Sequence, residues 1–315
     1  MSTEVVIVGG ARTPMAEYSG TPGYGKLKGL SASDLCDHSS KAAIERAKID
    51  PESIDHTVIG NALQTSNDAI YGARHVALKS GVPQSVPALT VNRLCGSGIQ
   101  SIINASQLIQ LGEAGTVLAG GMENMSQAPY VLHGAREGFR LGTQPPLEDL
   151  LFSSLYDPYG DTYMAQTAET IAKRLGITRE QQDEYALRSH KLGAEAVQSG
   201  RFAEEIAPIV ISGRRGDTTI DTDDHIKPDT TIEGLAKLRA AFGKEGTVTA
   251  GNASGIVDGA ASVICTTGDR AKADGLDVMG IVRGYSYVGV DPKEMGIGPV
   301  PAINQLLEKA GMKTD

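Results

Sequence analysis

The chain has 315 residues, a net charge of −9, 38 glycines and no tryptophan. That length admits a large core and about two domains. The acidic balance argues against a broad phosphate-tracking surface, and the scarcity of aromatics against a nucleic-acid binder built on base stacking. Three cysteines, at 36, 95 and 265, show no paired spacing. This sets aside a disulfide framework and a zinc knuckle, and no other pattern asks for a metal. No apolar run approaches the roughly 18 residues of a membrane span. The opening MSTEVVIVGG enters a strand pattern directly, without the layout of a signal peptide, so a cytosolic protein is expected.

The first part of the chain alternates strand and helix. Val5 to Val8 is a short apolar strand, and Ser33 to Ala47 reads as a helix with Leu35, Cys36, Ala43 and Ile44 on its apolar side. A strand over Thr57 to Gly60 and a helix over Tyr71 to Lys79 follow, the latter ended by Gly81. Val86 to Asn92 is a strand, Gly98 to Leu111 a helix, and Thr116 to Gly120 a strand. Alternating β and α units predict a sheet between helix layers. The helix after Cys95 is apolar or small on most sides, which predicts burial with layers on both sides of it.

The texture changes after Gly121, where prolines and glycines punctuate a long excursion. Helices are predicted over Ala165 to Leu175 and Thr178 to Gln198, the second opening with the capping box Thr178-x-x-Gln181. Ile206 to Ile211 reads as a strand, Gly213 to His225 as a polar loop, and Thr230-x-x-Glu233 as a cap for a short helix. The core resumes at Thr247, with a buried strand over Ala260 to Thr267. Gly280 to Val288 reads as the first strand of a second βα series and Pro299 to Ala310 as its helix.

The stretch VNRLCGSGIQSI, Val91 to Ile102, places Cys95 where a strand pattern gives way to a helix. A helix N-terminus stabilises negative charge through unpaired amides, so it suits a thiolate and a thioester oxyanion. Gly96 and Gly98 keep side chains out of the approach. The other reading is a small buried cysteine at a tight turn, the commoner fate of a free thiol, and it is the stronger one for Cys36 and Cys265. In AGNASGIVDGAAS, Ala250 to Ser262, small residues let backbone approach a ligand and Ser254 offers a hydroxyl; a tight packing loop is the alternative. Glu123 and Asn124 fit local backbone contacts as well as a substrate role. Among the histidines, His38, His56, His75, His133, His190 and His225, none lies in a motif that marks a partner for Cys95. Asp221, Asp223 and Asp224 lack the spacing of a calcium loop and read as a solvated run.

Taken together, VNRLCGSGIQSI, GGMENMS, Met164-Ala165-x-Thr167-Ala168-Glu169, EGTVTAGNASGIVDGAAS and VGVDPKEMGIGPVPA resemble the thiolase family from the first strand to the last residue. The resemblance implies an α/β fold of five layers, αβαβα, with a loop domain and an incomplete second half. It implies an N-terminal half over 1–120, a loop domain over 121–246, a return to the first half over 247–270, and the start of a C-terminal half over 271–315. By the same resemblance Cys95 attacks a 3-oxoacyl-CoA, or acetyl-CoA in the reverse sense, and coenzyme A takes the acyl group from the acyl-enzyme. Ser254 and Ala250 match positions along the pantetheine arm, Leu155 and Phe242 apolar positions near it, and Met164 and Met295 positions flanking the acyl pocket. Coenzyme A and acyl-CoA are then substrates, with no permanently bound cofactor, and a homodimer or tetramer is implied.

Two departures stand out. Tyr163 occupies a position where short-chain acetoacetyl-CoA thiolases often carry histidine, and Leu147 to Glu169 is more similar to the broader 3-ketoacyl-CoA thiolases. Three blocks that the family places later, around Asn-Glu-Ala-Phe, Gly-His-Pro and Cys-x-Gly-Gly-Gly, have no counterpart here. The expectation is weak or absent activity in the isolated chain. Alternatively, the chain is a CoA-thioester-binding subunit that a separate chain completes with the missing His and Cys.

Overall fold

The computed structural model describes residues 3–214 and 216–314. The chain divides into two compact units: Met1–Gln127 with Ala196–His225 and Ile256–Arg283, and Ala128–Glu195 with Ile226–Gly255 and Gly284–Asp315.

The first unit is built on a seven-stranded mixed sheet. Its long strands in chain order are β1 (Val5–Arg12), β2 (His56–Gly60), β3 (Ala88–Val91), β4 (Thr116–Glu123) and β5 (Val257–Thr267). The principal helices of the chain are α1 (Ala32–Ala47), α2 (Gly72–Lys79), α3 (Ser97–Leu111), α4 (Met164–Leu175), α5 (Arg179–Gln198) and α6 (Pro299–Ala310). The sheet order is Gly280–Ile281, β1, β5, β4, β2, β3, with Ala16–Glu17 pairing β5 to the side. β2 runs parallel to β3 and β4, whereas β5 is antiparallel to both β1 and β4.

Period-two alternation sends neighbouring residues of each strand to opposite faces. Val6, Val8, Leu118 and Ile264 pack with Ile44 and Ala47 of α1 and Ala77 of α2. Val5, Val58, Val117, Ala119 and Cys265 pack with Ala105 and Ile109 of α3. The sheet is therefore covered by α1 and α2 on one side and by α3 on the other. Small residues make this close: a Cβ on Gly9 would lie 2.5 Å from the Ala47 Cβ and 2.7 Å from the Ala43 carbonyl oxygen. α1 starts at Ser31, whose hydroxyl accepts the Asp34 N–H while the Asp34 carboxylate accepts the Ser31 N–H.

Several expectations change. α3 is covered on one side: Ala105 and Ile109 pack with Ile102 and Leu108 against the sheet, while Ile99 and Leu111 are exposed at 69% and 72%. Its sequence is apolar all round, but one layer covers it here. Gly280 to Val288 is not the opening strand of a second sheet. Only Gly280–Ile281 is extended and paired, and it adds to β1 as an antiparallel edge. The polar loop 213–225 contains a strand, Thr218–Ile220, in a hairpin with Ile209–Ile211.

The second unit holds α4, most of α5, α6 and short two-residue ribbons. Thr178 and Gln181 form the expected capping box before α5: the Thr178 N–H donates to Gln181 at 2.9 Å and the Gln181 N–H to Thr178 at 3.3 Å. The short helix Ile232–Ala236 is capped by Thr231, one residue later than expected, because its hydroxyl accepts the Gly234 N–H. Among the described residues, no helix is long and apolar enough to cross a membrane.

Candidate active site

β3 ends at Val91 and α3 begins at Ser97, and the chain reverses between them through a strained turn. Leu94 has φ +46°, rare for a bulky side chain. Such a conformation costs on the order of 1–3 kcal/mol and persists only where neighbours over-determine it. Ser97 supplies part of that constraint. Its hydroxyl donates to the Leu94 carbonyl at 2.6 Å and accepts the Arg93 N–H at 2.9 Å. Backbone bonds from Gly96 to Arg93 and from Ser97 to Leu94 close the turn at 3.0 and 3.1 Å. The kink leaves Cys95 exposed, directly before the helix cap Gly96. No side chain caps this helix; the Ser97 N–H is taken by the Leu94 carbonyl, and the remaining first-turn amides, on Gly98 and Ile99, favour a developing negative charge.

The close seat of α3 on the sheet depends on a second glycine. A Cβ on Gly60, at the end of β2, would fall 2.5 Å from the Ser97 carbonyl carbon. A Cβ on Gly98 would stand in open space, with nothing within 4 Å, whereas one on Gly96 would meet the Arg93 carbonyl oxygen at 3.3 Å.

The end of β4 supports the same region. The Glu123 carboxylate accepts the Asn61 side-chain amide at 2.9 Å and the Ala62 and Leu63 N–H groups at 3.1 and 3.0 Å. Burial raises its pKa despite these donors. Asn124 is fully buried and donates to the carbonyls of Leu27 and Leu30. Both residues thus bond backbone distant in sequence, Glu123 the 61–63 loop and Asn124 the 27–30 segment, and the 61–63 loop bonds the turn that carries Cys95 through Asn92.

The other thiols differ sharply from Cys95. Burial pushes Cys36 up to about 11, against hydrogen bonds from Ser262 and Ser40, and pushes Cys265 up to about 12. Both are buried in the sheet–helix layers. None of the described hydrogen bonds joins a histidine to the Cys95 sulfur. His38 bonds the Ala207 carbonyl, His56 that of Thr57, His133 pairs with Glu148 and His225 with Glu17. His190 accepts the Lys227 N–H, and His75 stacks on Tyr71. His56 opens β2.

The acidic run at 221–224 is solvated only in its first half, where Asp221 is exposed. Asp223 takes both terminal guanidinium nitrogens of Arg12 at 2.8 and 2.9 Å together with the Met15 N–H, and Asp224 accepts the Glu17 N–H at 2.6 Å. It ties this segment to the end of β1. Among the described residues no acidic, histidine or cysteine group is arranged to hold a metal.

Ser254, Ala250, Leu155, Phe242, Met164 and Met295 all belong to the second unit. Met164 opens α4, and its N–H donates to the Leu155 carbonyl at 2.9 Å. Tyr163 rings with Phe152, Tyr156 and Phe242 at centroid distances of 4.8, 5.1 and 6.2 Å. The turn carrying Met295, Pro292–Ile297, packs along α4, where Glu294 pairs with Arg174 at 2.6 Å. The segment after Phe242 folds back so that the Ala241 N–H meets the Val248 carbonyl at 2.8 Å. Ser254 and Ala250 are exposed.

Two anchors of that loop escaped the sequence reading. The Glu169 carboxylate accepts the N–H groups of Thr247 and Val248 and the Thr247 hydroxyl, all at 2.8–2.9 Å. Partial burial alone would raise its pKa, but these donors outweigh it and hold the carboxyl below its usual range. The Asn252 amide donates to the buried Asp183 carboxylate and to the Thr247 carbonyl, both at 2.9 Å, and Arg179 pairs with Asp183 at 2.8 Å. The signal was present in part: Glu169 closes the matched Met-Ala-x-Thr-Ala-Glu block, and Asn252 sits inside the glycine-rich stretch.

The thiolase N-terminal domain family matches residues 5–269, and the thiolase C-terminal domain family matches 276–315. The human mitochondrial 3-ketoacyl-CoA thiolase is 47% identical over 308 residues, covering 98% of this chain and 76% of that protein. Its crystal structure superposes with a TM-score of 0.95 over 99% of this chain and 78% of that one. A second crystal structure of that thiolase, in complex with CoA, superposes at 0.93. A beta-ketothiolase of Cupriavidus necator is 44% identical over 314 residues, 99% of this chain and 78% of the relative.

Proposed function

The chain belongs to the thiolase family and is an acyltransferase with thiolase function and a mixed α/β thiolase fold, and from that premise we propose that Cys95 carries the acyl group. In the thiolytic direction the Cys95 thiolate attacks the 3-oxo carbon of a 3-oxoacyl-CoA. The bond between the second and third carbons breaks, and its electron pair leaves on acetyl-CoA, which takes up a proton. The acyl thioester on Cys95 then passes to the sulfur of coenzyme A, whose thiol proton is released. Coenzyme A and acyl-CoA are substrates of this cycle and no permanently bound cofactor enters it.

The observation that carries the reading is the contrast among the cysteines: Cys95 stands exposed on a strained turn before an uncapped helix, and the other two are buried. We assign Ser254 and Ala250 to the pantetheine arm, Leu155 and Phe242 to apolar contacts with it, and Met164 and Met295 to the acyl group. The support is that α4 and Glu169 gather the segments that bear most of them. Steady-state thiolysis of acetoacetyl-CoA and longer 3-oxoacyl-CoA substrates, with Cys95→Ala as the control, tests the proposal. Activity of Cys95→Ala at the native rate would end it.

One observation favours a second reading, an acyl-CoA-binding subunit that awaits a proton acceptor from another chain: no described histidine bonds the Cys95 sulfur. A stoichiometric acylation burst without turnover would select this reading, and sustained turnover would reject it. The wider family mapping, 1–120, 121–246, 247–270 and 271–315, belongs to the same proposal, as do a dimer or tetramer and a cytosolic location. Light scattering of the purified chain and cell fractionation test the last two.

A further inference from the structure

Leu94 is exposed, so packing of its side chain does not hold its left-handed backbone. Two polar side chains do. Ser97 is one, and its bonds lie within the turn. The other is Asn92, whose Oδ1 accepts the Leu94 N–H at 2.8 Å while its Nδ2 donates to the Ala62 carbonyl at 3.3 Å. Asn92 thus ties the kink to the 61–63 loop, while the Arg93 side chain ties it to Gln100 of α3 at 2.6 Å. Ala62 is itself fixed, since its N–H and that of Leu63 end on the partly buried Glu123 carboxylate. The Asn61 N–H adds a bond to the Val91 carbonyl at 3.0 Å, at the foot of the same turn. A connected path runs from the end of β4 through the 61–63 loop and Asn92 to the residue preceding Cys95.

We propose that Asn92 is a positioning residue for the reaction: its carboxamide clamps Leu94 in the left-handed conformation that presents the Cys95 sulfur, with Glu123 as the remote anchor. This rests on the assignment of Cys95 as the nucleophile. Reactive placement is steep in distance, and a shift of about 1 Å costs on the order of a hundredfold in rate. Glycine adopts positive φ without strain, so a glycine at 94 removes the need for the clamp.

The test uses the full chain and rapid quenching, with acylation of Cys95 by acyl-CoA followed by peptide mass. Asn92→Ala is expected to slow acylation about ten- to a hundredfold, with the half-saturating acyl-CoA concentration unchanged. Asn92→Asp keeps the acceptor for Leu94 but loses the donor to the Ala62 carbonyl, so it is expected to fall between native and Asn92→Ala, slowed roughly three- to tenfold, about one hydrogen bond's worth. Adding Leu94→Gly to Asn92→Ala is expected to restore most of the rate, whereas independent structural effects would add. Asn92→Gln keeps the amide but moves it by one methylene, so it serves where Asn92→Ala fails to fold, and it is expected to be slow. Native rates in Asn92→Ala or Asn92→Gln, or a further loss on adding Leu94→Gly, overturn the proposal. A native chain that never acylates Cys95 overturns the nucleophile assignment instead.

Discussion

Replacing Glu169 by alanine removes one carboxylate that terminates three donors: the Thr247 and Val248 N–H groups and the Thr247 hydroxyl. Hydrogen bonds to a charged group are worth about 1.5–3 kcal/mol each when shielded. Glu169 is only half-buried, and solvent screening reduces each to about 0.5–1 kcal/mol. The sum, about 2 kcal/mol, corresponds to roughly a thirtyfold change in the opening equilibrium of the 247–254 loop. Two readouts follow: the Thr247 and Val248 amides exchange about ten- to thirtyfold faster, and the KM for coenzyme A rises while kcat changes less. Glu169→Gln keeps an acceptor oxygen and loses about half as much. The pH dependence has a definite sign. The folded pKa lies below the ordinary value of about 4.3, so the stabilisation is complete above that pH and disappears as pH falls through the folded value. Unchanged exchange at Thr247 and Val248 in Glu169→Ala would refute the account of this loop.

Iodoacetamide at neutral pH should modify one cysteine of the native chain, at Cys95, and three after unfolding. A thiol near 11 is ionised on the order of once in 10⁴ at pH 7, and fast labelling of Cys36 or Cys265 in the native state would contradict this. Gly60→Ala should lower stability by about 2–3 kcal/mol, because its Cβ meets the backbone of Ser97 rather than a movable side-chain end. It should also slow acylation, and chemical denaturation with the quenched assay reads both. Asp223→Ala should cost about 2–3 kcal/mol by leaving a largely buried Arg12 without its bidentate partner. A denaturation midpoint equal to native would show the pair to be neutral.

Much of the first unit was legible because apolar periodicity reports directly on a sheet between helices. The strands ending at Gly60 and beginning at Thr116, and the helices around Ala47 and Leu111, are found at those places. The junction at Cys95 was legible because a strand pattern gives way there to a helix pattern, and the strand and helix are found on either side of it. The exposure of one α3 face was not, since periodicity reports how apolar a helix is and not how many layers cover it. The Gly280–Ile281 edge was missed because its pairing is with β1, far away in sequence. The polar anchors were hidden for a related reason. Asp223 reaches back 211 residues to Arg12, and Glu169 reaches forward 78 to Thr247, and neither distance leaves a local pattern.

The most direct test of the nucleophile assignment is peptide mapping of the native chain, acid-quenched after mixing with acetyl-CoA in the absence of an acceptor. The account predicts one acetyl group per chain on the peptide bearing Cys95, removed on addition of coenzyme A and absent in Cys95→Ala. An acetyl group on any other residue, or none at saturating acetyl-CoA, would contradict it.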